Sequence, residues 1–223
     1  MAATLPPGAG FDRHLDHLVH AAPDLESAVR DVAGRCGVQP VEGGRHLGLG
    51  TRNYLLGLGG RAYLEIIGPD PDQPGPDRPR PFGLDTLTGP ALATWAVRPA
   101  DLDATVARAR ARGYDPGDAR PMSRRTPAGD LLRWRLTPSA AEAGREPGDS
   151  LLPFLIDWGT TAHPTASGIP QVALVGLTGR HPQVAGVQRG LAALGVRLDV
   201  EHGERPGLTA LLRRPDGGLV TLG

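Results

Sequence analysis

Leu15-Asp16-His17-Leu18-Val19-His20 opens the phrase that decides the fold: an apolar strand, then Pro23-Asp24-Leu25, then a helical run from Glu26 to Cys36 stopped by Gly37. The chain writes it again as Leu92-Ala93-Thr94-Trp95-Ala96-Val97, then Pro99-Ala100-Asp101-Leu102, then a helical run from Asp103 to Arg112 stopped by Gly113. A fainter version starts at Gln171-Val172-Ala173-Leu174-Val175, continues through a helix after Pro182 and stops at Gly195. Repetition of one supersecondary unit is a fold-level signal and outranks any single residue.

Each unit continues with strands. After the first helix come an extended stretch at 38–41, a glycine-rich loop from Gly43 to Gly50, and strands at 51–58 and 62–67 around Gly59-Gly60-Arg61, a hairpin signal. The second unit adds a weak strand at 119–124, stronger ones at 131–137 and 152–158, and a polar insertion at 139–149. The third adds strands at 197–202, 208–213 and 219–222. Prolines at 71, 74, 76, 79 and 81 forbid helix and central strand between the first two units. The expected organisation is a loose tail at 1–11, modules at 12–70 and 91–159, a Pro-rich linker at 71–90, a connector at 160–170 and a divergent third module at 171–223. A parallel step across each helix followed by hairpins predicts an α+β fold: repeated β-α-β-β-β modules forming cupped mixed sheets, with the helices on the outer face.

Composition removes several function classes. All 24 basic residues are arginine, which excludes a lysine Schiff base, a P-loop lysine and a lysine general base. The formal net charge is zero and no long single-sign run occurs, which argues against nucleic acid or an anionic membrane as partner. Cys36 is the only cysteine, so no intrachain disulfide or Cys-based metal cluster forms, and its place at a helix end suits a packed thiol. No signal-peptide pattern or membrane-length apolar run is read, and a cytoplasmic protein is the expectation. The 32 glycines and 23 prolines punctuate apolar segments and read as turns.

Strand alternation puts His17 on one face with Leu15 and Val19, and Asp16, Leu18 and His20 on the other; Glu65 shares a face with Tyr63 and Ile67. In a concave sheet His17 and Glu65 converge, and an imidazole with a carboxylate is an ordinary ligand pair for a divalent transition metal. His46, in the glycine-rich loop, is a candidate third ligand, and His20 a packed helix-facing residue. Arg52 and Asn53 are placed to hold a ligand oxygen, and Asp157 and Trp158 to supply a polar anchor and an aromatic wall. His14, His163, His181 and His202 show no convergent partner.

Strand-His17 followed by Pro-Asp-Leu and helix, Tyr63-Leu64-Glu65-Ile66 on the fourth strand, the stretches Gly44-Arg45-His46 to Gly50-Thr51-Arg52-Asn53, and Pro153-Phe154-Leu155-Ile156-Asp157-Trp158-Gly159 together resemble the vicinal oxygen chelate superfamily, especially its glyoxalase-like branch. The resemblance implies paired modules around a cup that takes a small carbonyl or oxygen-rich molecule. It further implies a divalent metal (zinc, nickel, manganese or iron) held by His17 and Glu65, with Glu65 as proton carrier in isomerase, lyase or epimerase chemistry, and leaves a homodimer open. The second module departs from the pattern. Thr94 stands at the His17 position, where it becomes a candidate substrate contact with Tyr63, and Ile156 stands opposite Glu65 with Asp157 one residue out of phase. The departure argues against an extradiol dioxygenase, which needs a second histidine at Thr94. It also supports an alternative, a metal-free small-molecule binding protein like the antibiotic-sequestering proteins of this fold.

Overall fold

The protein is described from a computed structural model, which defines residues 10–144 and 151–223. Most of the expected tail and the end of the 139–149 insertion lie outside the described residues. The chain runs β1 (Leu15–Ala21), α1 (Leu25–Cys36), β2 (Val41–His46), β3 (Thr51–Gly59), β4 (Ala62–Pro69), β5 (Ala91–Val97), α2 (Leu102–Ala111), β6 (Arg120–Arg125), β7 (Leu131–Leu136) and β8 (Phe154–Asp157). It continues with β9 (Ala173–His181), α3 (Val184–Leu194), β10 (Asp199–His202), β11 (Gly207–Arg213) and β12 (Leu219–Leu222).

The repeated Asp-Leu is a helix start. Asp24 accepts a hydrogen bond from the Ser27 amide and Asp101 from the Ala104 amide, so each aspartate caps its helix. Gly37 ends α1 in the left-handed conformation at φ 66°, with no atom closer than 4.0 Å to where a Cβ would sit. Gly37→Ala is therefore expected to cost about 1 kcal/mol through backbone strain alone. Gly34→Ala, at an exposed helical position with open space around it, is expected to stabilise by up to about 1 kcal/mol. Urea midpoints of the two variants should move in opposite directions.

Modules one and two close into one eight-stranded barrel in the order β1-β4-β3-β2-β6-β7-β8-β5. In both, the strand parallel to the first is the fourth, β1 with β4 and β5 with β8, and β1 and β5 pair antiparallel to join the halves. This corrects the expectation of a parallel step directly across each helix. Only the third unit has that step: β9 and β10 are parallel neighbours in a separate sheet ordered β10-β9-β11-β12. The third unit thus repeats the order of elements but not the sheet.

Two cores follow from the alternation. Outside the barrel, Leu18, Leu56, Leu64, Ile66 and Trp95 pack with the three helices and with Leu174, Leu177, Leu208 and Leu212 of the third sheet. Trp95 is fully buried there and donates its indole N–H to the Leu151 carbonyl at 2.9 Å, while Cys36 packs as an inert thiol. Inside the barrel, Val19, Leu55, Tyr63, Ile67, Ala96, Trp134, Phe154, Ile156 and Trp158 cluster. The inner face is the one that can hold a ligand.

Candidate functional site

A cavity of about 50 Å³ lies within the barrel, room for about four waters, or for a ligand of a few heavy atoms. Tyr63, Glu65 and Ile67 come to it from β4, Met122 and Arg124 from β6, Trp134 and Leu136 from β7, and Phe154 and Ile156 from β8. His17, His46, Asn53 and Trp158 complete the polar and aromatic lining. Alternation along each strand is what turns these side chains inward.

Glu65 is the centre. His17 Nε2 lies 3.8 Å from one of its oxygens and His46 Nε2 3.8 Å from the other, while Asn53 Nδ2 donates to the oxygen on the His46 side. The His17 ring stacks on Tyr63 with centroids 4.8 Å apart and meets the edge of Phe154 at 5.4 Å. Burial pushes the Tyr63 phenol well above its usual range, with Asp16 and Glu65 adding to the shift, so it stays neutral. Burial also pushes the His46 imidazole down to about 4 against the pull of Glu65, so His46 is a neutral donor or acceptor near pH 7. Its Nδ1 shares a hydrogen bond with the Thr51 hydroxyl at 3.1 Å.

Behind His17 sits a carboxylate that alternation alone misplaces. β1 bulges against β5 between Leu15 and His17, with Asp16 as the extra residue. The bulge sends Leu15 to the outer core with Leu18, contrary to the expected shared face with His17, and brings Asp16 beside His17. Asp16 is fully buried. It pairs with His17 Nδ1 at 2.8 Å, Arg98 Nη1 at 2.8 Å, Trp158 Nε1 at 3.2 Å and His163 Nε2 at 3.2 Å. Burial opposes its ionisation, but hydrogen bonds from His163 and His17 outweigh that and hold the carboxyl well below its usual range. An ionised carboxylate only accepts, so His17 carries its proton on Nδ1 and turns Nε2 to the cavity.

Of the residues expected at the site, His17, His46, Asn53, Tyr63, Glu65 and Trp158 line one cavity. Four expectations need correction. His46 belongs to β2 and is 5% exposed rather than sitting in a solvated loop, because the glycine-rich stretch is strand as far as residue 46. Arg52 alternates with Asn53, so it faces outward and pairs with Glu26 of α1. Asp157 alternates with Ile156 and Trp158, stays outside the cavity and accepts from the Gly159 amide. Thr94 is buried with an unpartnered hydroxyl but does not line the cavity. His20 is buried on the α1 side as expected, and burial pushes it down to about 4.

Sequence reasoning missed Asp16, Arg124, Trp134 and His163. Arg124 shares the inward face with Met122 on a strand with no apolar pattern, and His163 arrives from the loop after β8, so neither carried a signal.

The chain belongs to the glyoxalase-like domain family, whose profile matches residues 15–195, and so to the vicinal oxygen chelate superfamily. Among solved structures it is similar to a hypothetical protein from Staphylococcus aureus, with a TM-score of 0.61 at 11% identity over 94% of this chain and 98% of that one. It is also similar to methylmalonyl-CoA epimerase from Mycobacterium tuberculosis, with a TM-score of 0.42 at 24% identity over 75% and 97% of the two chains. A Streptomyces coelicolor methylmalonyl-CoA epimerase variant in complex with 2-nitronate-propionyl-CoA gives a TM-score of 0.40 at 20% identity over 67% and 97%. No curated protein matches significantly.

The resemblance implies a divalent metal held by His17, Glu65 and His46, and these residues as placed do not fit one. Each imidazole faces a different oxygen of one carboxylate at 3.8 Å, wider than the roughly 3.4 Å between ligand atoms around a tetrahedral zinc. Among the described residues no group of three such side chains is arranged to hold a metal ion. The buried Arg124 guanidinium, within electrostatic range of His46 and Glu65, adds positive charge to the same cavity. No helix among the described residues is long and apolar enough to cross a membrane.

Proposed function

We propose that this protein binds a small carbonyl compound inside the barrel and moves a proton on the carbon beside the carbonyl. The observation carrying this reading is Glu65, a buried carboxylate facing a cavity between two imidazole nitrogens. Proton abstraction beside a carbonyl needs a base at the C–H bond and polar groups that hold the charge developing on oxygen. Glu65 is the base, oriented by the Asn53 amide. Neutral His46, with its Nδ1 accepting from the Thr51 hydroxyl, carries a proton on Nε2 to donate to the carbonyl oxygen, and the Arg124 guanidinium adds positive charge, while the bare Nε2 of His17, oriented by Asp16, is an acceptor. Aromatic walls from Trp134, Trp158 and Phe154 make the cavity less polar than bulk water and strengthen these contacts. Return of the proton to the opposite face gives epimerisation, and return to a neighbouring carbon gives isomerisation.

The test is hydrogen–deuterium exchange of diacetyl in D2O, followed by proton NMR. The wild type is expected to accelerate loss of the methyl signal, and Glu65→Gln to reduce the acceleration by at least ~100-fold. A chelator is expected to leave the rate unchanged. A rate abolished by chelation and restored by zinc, nickel, manganese or iron would instead establish the metal-assisted version.

The second reading is binding without catalysis. Thr94 and Ile156 at the second module's ligand positions favour it, together with the aromatic walls. Quenching of tryptophan fluorescence by diacetyl with no exchange would establish it.

A further inference from the structure

Arg124 has a burial its chemistry does not explain. It is 4% exposed, yet among the described residues it forms no salt bridge, and its Nη1 is buried without a hydrogen-bond partner. Leaving a buried guanidinium donor unpaired is costly. Its surroundings satisfy it only in part: Tyr63 and His46 stay neutral, and Glu65 attracts it through space without a hydrogen bond or salt bridge to it. A second orphan sits beside it, the Asn53 Oδ1. Both atoms crowd Gly43, at a bulge of β2 against β3: a Cβ there would lie 2.3 Å from Asn53 Oδ1 and 2.7 Å from Arg124 Nη1. The missing side chain makes room for the guanidinium head at the cavity wall. An unpaired, permanently charged fork of donors in a water-poor cavity suits a carboxylate, which it can bind through two oxygens.

We propose that Arg124 holds the carboxylate of the ligand, so that small 2-oxo and 2-hydroxy monocarboxylates are the class this cavity takes. The inference rests on the barrel cavity being the ligand site, as in the function proposed above. With the carboxylate on Arg124, the carbon that gives up its proton to Glu65 is C3 of a 2-oxo acid or C2 of a 2-hydroxy acid, and the guanidinium offsets the negative charge left on the ligand as the C–H electron pair forms the enolate. An Asn53 hydroxyl contact completes the picture for 2-hydroxy acids, since Oδ1 accepts from the ligand O–H.

Pyruvate and diacetyl share a methyl ketone and differ in one end, a carboxylate against a neutral acetyl group. Titration of each, read by the fluorescence of Trp134 and Trp158, is expected to show pyruvate binding at least roughly tenfold more tightly. Arg124→Gln is expected to erase that preference, weakening pyruvate binding at least roughly tenfold relative to diacetyl. Equal affinities for the two compounds, or no pyruvate binding at millimolar concentration, overturns the inference from the wild type alone, whether or not the variant folds. Unchanged pyruvate affinity in a folded Arg124→Gln protein overturns it as well. The two proposals fail separately: diacetyl exchange without a pyruvate preference sinks only the carboxylate role, and Arg124-dependent pyruvate binding without exchange sinks only the chemistry.

Discussion

Asp16→Asn is expected to lower the unfolding free energy by about 3 kcal/mol, the scale of breaking a buried charge pair by removing one partner. Four donors converge on this carboxylate from four places in the chain: His17 in β1, Arg98 just after β5, Trp158 just after β8 and His163 in the loop that follows. An asparagine keeps one acceptor oxygen and turns an N–H₂ toward the remaining donors, so the half-buried Arg98 loses its counter-charge. The carboxyl is held below its ordinary range in the folded state. The stabilisation is therefore complete above an unfolded pKa of about 3.9, and is lost as pH falls below that through the native value. Urea unfolding at pH 7 should show the full difference between wild type and variant, and the loss of the Asp16 charge should narrow it below pH 4. Asp118→Asn, which removes an exposed partner of Arg110, serves as the control and should leave the midpoint unmoved. An Asp16→Asn protein as stable as the wild type would mean that the cluster around Asp16 is not a structural hub. The orientation of His17 would then need another cause.

That cluster also marks where the sequence stops being legible. The repeated phrase announces the helix and stop of each module, and the cap of the first two, because those steps are local: an aspartate side chain binds an amide three residues on, and a glycine takes a left-handed turn. Period-two alternation likewise announces Tyr63, Glu65 and Ile67 on one face, and Asp157 out of phase with Ile156. Alternation fails wherever a bulge adds a residue. The bulge at Asp16 moves Leu15 to the outer core and Asp16 to the site, and the bulge at Gly43 lets β2 bend around Asn53 and Arg124. Gly44, at φ 138°, sits against the Arg125 carbonyl at the seam between the modules, so glycines that read as a loop are instead the closest approach of two strands.

Residues that arrive from far along the chain leave no local trace. His163 meets Asp16 across 147 positions, and the register that puts Arg45 opposite Arg125 exists only because the barrel closes. The third unit shows the same limit at the level of topology. Its strand–helix–strand order matches the other two, but the partner of its first strand is decided by packing. Leu174, Leu177, Leu208 and Leu212 cover the outer core of the barrel instead of lining a cup.

Acid is expected to destabilise the protein steeply between pH 6.5 and pH 4, before any carboxylate is lost. His20 and His46 are each buried neutral, with folded values pushed down to about 4 against about 6.5 when unfolded. A histidine with a lowered native pKa binds fewer protons folded than unfolded across that window, so its contribution is present above pH 6.5 and lost as pH falls toward 4. Each accounts for an amount on the order of 3 kcal/mol, and the two together exceed half the stability of many domains of this kind. Asp31 opposes the shift at His20 while Arg35 reinforces it; Glu65 opposes it at His46 while Arg124 and His17 reinforce it. Unfolding free energies measured at half-unit steps from pH 7.5 to pH 4.5 should fall with a slope that His20→Gln or His46→Gln each reduces, while His163, which burial also pushes down, supplies part of the remainder. His202→Gln, an exposed position, should leave the slope as it is. The His46 arm also bears on the site. If His46→Gln does not flatten the curve, that imidazole titrates as it would in water, the cavity gains a positive charge near pH 6, and Arg124 ceases to be its one permanent cation among the described residues. If the slope flattens, His46 stays neutral at pH 7 and adds no charge to the cavity, the state in which its Nε2 can donate to a carbonyl oxygen beside the carboxylate contact on Arg124.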